Sequence, residues 1–262
     1  MIDLHCHMLP GIDDGAPDLD TALEMARTAV ADGITVTACT PHIYPGMFEN
    51  THGGIREACE NFRAALAEAD IPLGLTYGAD IQITPDLVAG LSEGRLPTLN
   101  GSRYFLFEPP HHIAPPGMLD LIHNLLVAGY VPVITHPERL TYVEDYYDQF
   151  KQAAAMGAWL QITGGSLIGR FGKPIRAISE RFLSDGITHL LATDAHNLGN
   201  RNPQLSEARA AAVTLVGEEE AERLVCSRPQ AILDNVDPAA VPGPIVQPPV
   251  QPKKGFIARL FG

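Results

Sequence analysis

Residues that can bind metal ions follow nearly every apolar run in the sequence. His5 and His7 close the first run, His42 closes the second, and Asp194 and His196 close the last. Three more residues of this kind end intervening runs: Asp80, Glu108 and His136. Imidazole and carboxylate groups bind zinc, manganese and iron. Eight such side chains are too many for one zinc ion and suit two or three divalent ions that share carboxylates.

Two short motifs place pairs of these side chains on one side of the chain. Alternate residues of a strand point the same way, so His5 and His7 lie about 7 Å apart along the backbone and can reach one ion. Cys6 lies between them and is turned away. Asp194 and His196 repeat the spacing with a carboxylate and an imidazole. The motifs therefore predict shared metal sites.

Charged residues beside these motifs suggest what the metals do. Asp13 and Asp14 lie in a glycine-rich turn; we expect Asp13 to form the turn and Asp14 to act as a catalytic or orienting group. Arg139 and Arg201 follow the later ligand motifs. A single loop arginine usually forms a surface salt bridge, but two guanidinium groups beside metal ligands favour bidentate phosphate binding. Metals and arginines together predict hydrolysis of a phosphate ester.

The elements that position these residues are predicted as alternating strands and helices. The strands are expected at 2–6, 34–39, 73–79, 103–108, 131–135, 158–162 and 188–193. The helices are expected at 18–32, 50–69, 116–129, 144–156, 174–186, 203–217, 218–226 and 228–235. Such repeats favour an α/β fold with a parallel sheet, closed or nearly closed into a barrel whose strands end on one face. An open doubly wound sheet is the alternative, but it would not gather ligands from every strand.

Composition limits the class of protein. The 262 residues are 45% hydrophobic, which suits one barrel-sized domain, and the net charge is −13 without a basic patch, which disfavours a nucleic-acid partner. The four cysteines lack paired spacing, as expected in a reducing cytoplasm. The first strand begins at Ile2, so we expect no secretory signal, and no membrane-spanning stretch is visible.

The sequence changes character at Val236. Prolines recur from Pro238 to Pro252, and the chain ends in a basic and apolar segment at 253–262. This composition predicts a flexible linker and tail at 236–262 after a domain at 1–235. Two interpretations of the end segment stay open. One is contact with an anionic membrane surface or a partner, which would hold the protein near the inner face of the membrane; the other is a disordered tail.

The motifs as a whole resemble the PHP (polymerase and histidinol phosphatase) superfamily. The matching runs are His-Cys-His (5–7), Leu-Pro-Gly-Ile-Asp-Asp-Gly-Ala (9–16), Thr-Pro-His (40–42), Gly-Ala-Asp (78–80), Phe-Glu (107–108), Thr-His-Pro-Glu-Arg (135–139) and Thr-Asp-Ala-His-Asn (193–197). Within the superfamily the chain is similar to the bacterial manganese-dependent protein-tyrosine phosphatases of capsular and exopolysaccharide operons. The run at 9–16 is the most specific of these motifs. The resemblance covers about residues 1–235.

The resemblance implies a distorted seven-stranded barrel with three metal ions. Manganese is the expected metal, and iron and zinc are the alternatives. The positions that match metal ligands are His5, His7, His42, Glu108, His136, Asp194 and His196. Arg139 and Arg201 match phosphate-binding positions. One position departs from the pattern, because the family usually has Glu where this chain has Asp80. Asp is one methylene shorter, so an ion there would be held more weakly or through water.

The implied substrate is phosphotyrosine on the autophosphorylated tail of a bacterial tyrosine kinase that controls polysaccharide chain length and export.

A cysteine-dependent route is disfavoured, because tyrosine phosphatases of that kind need Arg six residues after the nucleophilic Cys. The residues at that distance here are Ile12, Pro45, Ala65 and Ile232.

Other functions stay open at this point. A PHP phosphatase for a small molecule such as histidinol phosphate would share the same ligands but need a more enclosed pocket. A non-catalytic module that retains metals and sequesters a phosphorylated partner would explain the change at Asp80. A nuclease is disfavoured by the acidic balance.

Several aromatic residues lie on loops of the expected ligand-bearing face. Tyr44, Phe48 and Tyr142 could stack on an aromatic substrate, although loop aromatics more often cover the core. His111 and His112 follow Glu-Pro-Pro, and we expect a plain loop role for both.

Overall fold

A computed structural model describes residues 1–245. Its strands, in chain order, are β1 (Ile2–Cys6), β2 (Val36–Cys39), β3 (His42–Ile43), β4 (Gly74–Tyr77), β5 (Asp80–Gln82), β6 (Tyr104–Glu108), β7 (Val131–Thr135), β8 (Trp159–Thr163) and β9 (Leu190–Ala192). Its α-helices are α1 (Leu19–Ala31), α2 (His52–Glu68), α3 (Leu87–Ser92), α4 (Met118–Val127), α5 (Tyr147–Met156), α6 (Gly164–Leu167), α7 (Lys173–Ser184), α8 (Ser206–Val216), α9 (Glu218–Glu222) and α10 (Arg228–Leu233). A π-helical turn at Arg223–Ser227 joins the last two helices.

The strands form two parallel sheets, in the orders β1-β2-β4 and β3-β5-β6-β7-β8-β9. The second and third predicted strands, at 34–39 and 73–79, form β2 and β4, and a two-residue break separates each of these from a further short strand, which gives the pairs β2/β3 and β4/β5. Backbone hydrogen bonds cross the break: Gly78 N donates to Cys39 O at 3.0 Å, and Asp80 N donates to Pro41 O at 3.1 Å. The two sheets are therefore joined along this side.

The other junction lies between β1 and the segment after β9. Asp194 N donates to His5 O at 2.8 Å, and His7 N donates to Ala195 O at 2.9 Å. Hydrogen bonds thus run through seven strand positions and back to the first. The predicted α/β fold is confirmed, and its distortion lies at the broken strands and at this junction.

Helix α1 shows how the sequence sets the elements around the strands. The Asp18 side chain accepts a hydrogen bond from Thr21 N at 2.8 Å and caps the helix. Ala22, Met25, Ala26 and Ala29 recur at helical spacing and are all buried. Burying a residue the size of Met contributes about 1.5–3 kcal/mol.

A smaller apolar cluster fills the ring of strands towards their amino ends. It includes Leu4, Tyr104, Leu106, Val133 and Trp159, all buried. Side chains alternate along a strand, so the next residues on the same face lie two positions further on. On β6 and β8 these are Glu108 and Gln161, which are also buried. The apolar interior therefore gives way to a polar layer at the carboxyl ends of the strands.

The segment that follows α10 contacts the body of the protein. Tyr104 Oη donates to Val236 O at 2.9 Å, and Arg228 donates to Pro242 O at 2.9 Å and to Gly243 O at 2.8 Å. The predicted linker at 236–262 therefore begins with a stretch attached to the domain. Residues 246–262, which include the predicted tail at 253–262, lie outside the described residues.

Among the described residues, the helices are too short or too polar to cross a membrane.

Candidate metal centre

All eight predicted ligands lie together at the carboxyl ends of the strands. Together with two further residues, Asp14 and His111, they form five overlapping groups in which the ligand atoms lie within 4.8 Å of one another. The eight residues are His5, His7, His42, Asp80, Glu108, His136, Asp194 and His196. The sequence prediction that strand ends gather these side chains therefore agrees with the geometry.

The first group joins three imidazoles and one carboxylate. Asp14 Oδ1 lies 3.3 Å from His196 Nε2 and 3.5 Å from His42 Nε2. The His7 ring centroid lies 3.9 Å from that of His196 and 4.5 Å from that of His42. The sequence predicted a catalytic or orienting role for Asp14. The structure places its carboxylate as a fourth ligand-type group at the solvent edge.

Asp80 lies at the centre of the neighbouring groups. Its Oδ2 atom is 3.3 Å from His5 Nε2, 3.5 Å from His136 Nε2 and 3.7 Å from His42 Nδ1. Its other oxygen accepts a hydrogen bond from the Thr135 hydroxyl at 3.2 Å. The shorter Asp side chain therefore still reaches the cluster, with one oxygen fixed by Thr135 and the other facing three imidazoles.

Glu108 lies near His42 and His136, which also lie near Asp80, and near His111, which was not predicted as a ligand. Glu108 Oε2 lies 3.3 Å from His42 Nδ1, and its Oε1 lies 3.9 Å from both His136 Nε2 and His111 Nε2. We expected a plain loop role for His111. The feature of the sequence that could have identified His111 as a possible ligand is its spacing, since it follows Glu108 by three residues.

Two polar residues orient the imidazoles of the first motif. His5 Nδ1 lies 2.8 Å from Gln161 Oε1, and His7 Nδ1 lies 2.7 Å from Asp13 Oδ2. These contacts turn the Nε2 atom of each ring towards the cluster, as the partners of metal-binding histidines commonly do. Gln161 was not predicted, because nothing in the sequence marks a strand glutamine as a partner of a histidine.

Asp13 has both a turn role and an orienting role. Its Oδ1 accepts from Gly15 N at 2.9 Å, as expected for a turn, while its Oδ2 also accepts from His42 N at 3.1 Å. The turn is packed tightly on the metal motif. A Cβ atom on Gly15 would lie 2.0 Å from the backbone oxygen of His7, so only glycine fits there.

Two of the predicted ligands have left-handed backbone conformations. His136 has φ of 35° and Asp194 has φ of 49°. Such conformations cost about 1–3 kcal/mol each and concentrate at functional sites. Each residue ends its strand and turns its side chain into the cluster.

The two predicted arginines converge on Asp194. Arg201 donates to both carboxylate oxygens at 2.9 Å, and Arg139 donates to Oδ2. The Arg139 guanidinium also lies 4.8 Å from the ring centroid of Phe171. The structure therefore brings both arginines to the same edge of the cluster, where Asp194 holds them side by side.

Comparison with known proteins identifies the family. The family model described as capsular polysaccharide synthesis, CpsB/CapC, matches residues 1–234. The chain belongs to the CpsB/CapC family. Tyrosine-protein phosphatase YwqE of Bacillus subtilis (strain 168) is 39% identical to it over 208 residues, 79% of this chain and 82% of YwqE. Tyrosine-protein phosphatase CpsB of Streptococcus agalactiae is 29% identical over 243 residues, 90% of this chain and 99% of that protein.

A solved structure shows the same fold. It comes from work on YwqE from Bacillus subtilis and CpsB from Streptococcus pneumoniae, described as unique metal-dependent tyrosine phosphatases. It matches this chain with a TM-score of 0.87 at 36% identity, covering 94% of this chain and 99% of the other. The resemblance inferred from the motifs is confirmed, and so is the fold that it implied.

The carboxylates of the cluster in this CpsB/CapC member favour positive charge on neighbouring imidazoles. Burial lowers the pKa of His5, but Asp80 and Asp194 outweigh it and raise that pKa to about 9. Burial also opposes protonation of His42, yet Glu108 and Asp80 raise its pKa to about 10. The carboxylates thus draw protons onto two imidazoles that burial alone would keep neutral.

Other groups of the cluster shift the opposite way. Burial, with the charge of His196, lowers the pKa of His7 to about 3, and burial lowers that of His136 to about 3. Burial and the nearby Asp80 raise the pKa of Glu108 to about 7. Burial opposes ionisation of Asp194, but its two arginines hold its pKa well below the usual range.

Buried atoms of the cluster also lack hydrogen-bond partners among the described residues. They include Asp80 Oδ2, Glu108 Oε2, His42 Nδ1 and His196 Nε2. An unsatisfied buried polar group costs about 1–3 kcal/mol. All four are ligand-type atoms that belong to the groups described above. The mixed nitrogen and oxygen donor set fits divalent manganese, iron or zinc.

Proposed function

We propose that this protein is a metal-dependent protein-tyrosine phosphatase that acts in capsular or exopolysaccharide synthesis. The observation that carries the proposal is the set of overlapping ligand groups with two arginines at its edge. Relatives that share this fold are named tyrosine-protein phosphatases, and the family is described by capsular polysaccharide synthesis. The combination fits phosphate-ester hydrolysis better than the binding of a metal for structure alone.

The ligand groups suggest how three divalent ions would be held, with manganese as the proposed native metal. His7, Asp14, His42 and His196 would hold one ion. The remaining four groups, whose carboxylates come from Asp80, Glu108 and Asp194, would hold the others. When bound, divalent ions would lower the pKa of water at the site and polarise the phosphoryl oxygens. Gln161 and Asp13 would keep the imidazoles of His5 and His7 aimed at the cluster.

Asp14 is better suited to a ligand role than to the predicted catalytic one. Burial opposes its ionisation, but the close contact with His196 and the charges of His196 and His42 hold its pKa below the usual range. A carboxylate that stays ionised at neutral pH can bind a cation, whereas a general acid must carry a proton. We therefore assign Asp14 to the metal centre.

Arg139 and Arg201 would bind the phosphate of the substrate. Their side chains are 15% and 24% exposed, so each guanidinium keeps a surface towards the open face of the site. A planar guanidinium can hold two phosphoryl oxygens at once and stabilise the charge that develops during transfer. Asp194 would hold the pair in place.

The proposed substrate is phosphotyrosine on the tail of a bacterial tyrosine kinase that controls polysaccharide length and export. The names of the relatives and the description of the family support a phosphotyrosine substrate and a role in polysaccharide synthesis. We also propose a cytoplasmic location, which fits the four free cysteines.

The test is hydrolysis of a phosphotyrosine peptide by chelator-treated protein with and without Mn²⁺. A phosphoserine peptide and histidinol phosphate are assayed beside it. Turnover that requires Mn²⁺ and prefers phosphotyrosine is expected. Preference for histidinol phosphate would assign the same site to small-molecule metabolism. Metal binding without turnover of any ester would favour the non-catalytic module and overturn the proposal.

A further inference from the structure

A cavity beside Glu108 remains without a role in the proposed function. Its volume is about 350 Å³, and Tyr44, Glu108, Pro110, His111 and Ile113 are among its lining residues. Glu108 and His111 also belong to one of the groups of ligand atoms. The cavity therefore opens directly on the metal centre. The rest of its lining consists of Gln82, His112 and three apolar side chains, those of Tyr44, Pro110 and Ile113, which form its apolar wall.

The side chains of this wall are free to meet a ligand. Ile113 is 73% exposed, so its side chain is accessible to a ligand in the cavity. Tyr44 begins a short turn in which Phe48 N donates to Tyr44 O at 2.8 Å. The backbone of the turn is therefore fixed by its own hydrogen bonds, while the Tyr44 side chain lines the cavity. Rigid backbone under an aromatic side chain suits a binding surface.

Other aromatic residues of the ligand-bearing face already have partners. Phe48 stacks on His42, with ring centroids 5.4 Å apart and planes at 15°. Phe171 lies under a guanidinium, and Tyr142 is only 8% exposed. Of the aromatic loop residues that the sequence singled out, Tyr44 is the one that lines a cavity open to the metal centre.

We infer that this cavity, the aryl pocket, binds the ring of phosphotyrosine while the phosphate lies at the metal centre. Tyr44 and Ile113 would then set the preference for aryl over alkyl phosphates. The inference rests on the proposed function and adds a specificity determinant to it. A phosphoserine side chain has no ring to reach the apolar wall, so its ester would gain little from the pocket.

A second cavity offers an alternative position for the ring of phosphotyrosine. It has a volume of about 460 Å³ and is lined by residues that include Ile43, Ile81 and Arg95. Gln82 lines both cavities, so they adjoin. The lining of this larger cavity contains none of the ligand-type residues of the metal centre. A ring bound there would draw the phosphate away from the metals, whereas the adjoining position suits residues that flank phosphotyrosine.

The experiment compares binding of phenylphosphonate and methylphosphonate to the Mn²⁺-loaded full-length protein by calorimetry. Neither compound requires turnover, so the result is independent of the proposed catalysis. Tyr44→Ala and Ile113→Ala are each expected to weaken phenylphosphonate binding by about 3- to 10-fold, the range for loss of one aromatic or apolar contact. Binding of methylphosphonate should change less than about twofold. Tyr44→Phe keeps the ring and should bind phenylphosphonate as the wild type does.

Two control variants define the outcomes. Met47→Ala changes an exposed residue in the same turn that does not line the pocket, and it should leave both affinities unchanged. Arg95→Ala alters the larger cavity and should also have no effect. Equal losses for both phosphonates, no loss in either pocket variant, or a selective loss in Arg95→Ala would each overturn the aryl pocket. If the wild type binds phenylphosphonate selectively but hydrolyses no ester, the proposed function fails while the pocket stands.

Discussion

Buried charged groups are paired at the amino end of the strand ring, whereas several buried atoms at its carboxyl end lack partners among the described residues. At the amino end, Arg228 is 1% exposed and fully paired. It lies 2.7 Å from a carboxylate oxygen of Glu220 and donates to the backbone oxygens of His189, Pro242 and Gly243. At the carboxyl end, buried imidazoles and carboxylates face one another with several atoms lacking a partner.

This difference separates a structural site from a functional one within the same domain. Among the described residues, the buried cation at the amino end, Arg228, has its donors matched by nearby acceptors. At the carboxyl end, nearby carboxylates raise the pKa of His5 and His42, so these imidazoles take up protons. We therefore expect an added cation to bind at the carboxyl end rather than beside Arg228.

The largest expected effect is on catalysis at the carboxyl end. Replacing His136 with Ala should lower kcat/KM for a phosphotyrosine peptide by at least about 10³-fold, or about 4 kcal/mol, because a proposed metal ligand is removed. Circular dichroism should show an intact fold. His123→Ala, at an exposed position on α4, is the matched control. Undiminished turnover in His136→Ala would exclude it from the site.

The corresponding change at the amino end should affect stability and spare catalysis. Arg228→Ala leaves the buried Glu220 with only a 3.5 Å contact to Arg223 and should cost about 3–5 kcal/mol in the free energy of unfolding. Urea denaturation measures this cost, and kcat of the folded protein should stay near that of the wild type. Arg176→Ala, which removes an exposed pair with Glu180, should cost no more than about 1 kcal/mol. Similar costs in the two variants would remove the distinction between the two ends.

Metal should stabilise the protein through the carboxyl end alone. Mn²⁺ at a hundred times its dissociation constant should add about 2.7 kcal/mol for each independent site, seen as a higher midpoint of thermal unfolding. Arg228→Ala should show the same gain as the wild type, because its change lies at the other end. A gain that vanished in Arg228→Ala, or no gain in the wild type, would contradict the comparison.

Activity should depend on the planar guanidinium shape of the two arginines at the carboxyl end and not only on their positive charge. Arg139→Lys or Arg201→Lys should lower kcat/KM roughly hundredfold, about 2.7 kcal/mol, because an ammonium cannot hold two oxygens as the guanidinium does. Steady-state kinetics on a phosphotyrosine peptide test this. Wild-type rates in both variants would leave the two arginines only the role of holding Asp194.

The smallest effect concerns pH and the amino end. Burial and the charge of Arg228 lower the pKa of His189 to about 3 in the folded protein, below the usual value. Its Nδ1 accepts a hydrogen bond from Leu160 N at 3.2 Å, so the neutral ring is the stabilising form. The unfolded chain binds the proton more readily below about pH 6.5, so stability falls as pH decreases.

His189→Asn tests this dependence, since it keeps an acceptor but cannot titrate. Between pH 7 and pH 5 the wild type should lose at most about 2 kcal/mol more than the variant. Denaturation at the two pH values, with Mn²⁺ held constant, gives the difference. Parallel losses in both proteins would show that the carboxyl end controls the acid response.

Much of the fold and the cluster followed from the sequence for physical reasons. Apolar runs ending in ligand-type residues specify strands whose ends meet, so the eight ligands could be placed before the structure was known. The breaks that divide β2 from β3 and β4 from β5 were not predicted, because apolar periodicity does not report a local change in backbone hydrogen bonding.

The two missed residues differ in cause. Gln161 contacts His5 across the ring, and a long-range contact of this kind leaves no local pattern in the chain. His111 follows Glu108 by three residues, but a histidine in a loop is common and this spacing alone did not mark it as a ligand. Asp13 was recognised as a turn residue, yet its contact with His7 depends on how the turn folds back on β1. Partners of a ligand are therefore harder to predict than the ligand itself.

The hydrogen bonds from Arg228 to Pro242 O and Gly243 O also fix the side of the domain on which the described chain ends. Arg228 donates to His189 O, just before β9, so the described chain leaves the body at the amino ends of the strands. The metal centre lies at the opposite ends. The catalytic face is therefore directed away from the point at which the described chain ends, and a substrate reaches it from the opposite side of the domain.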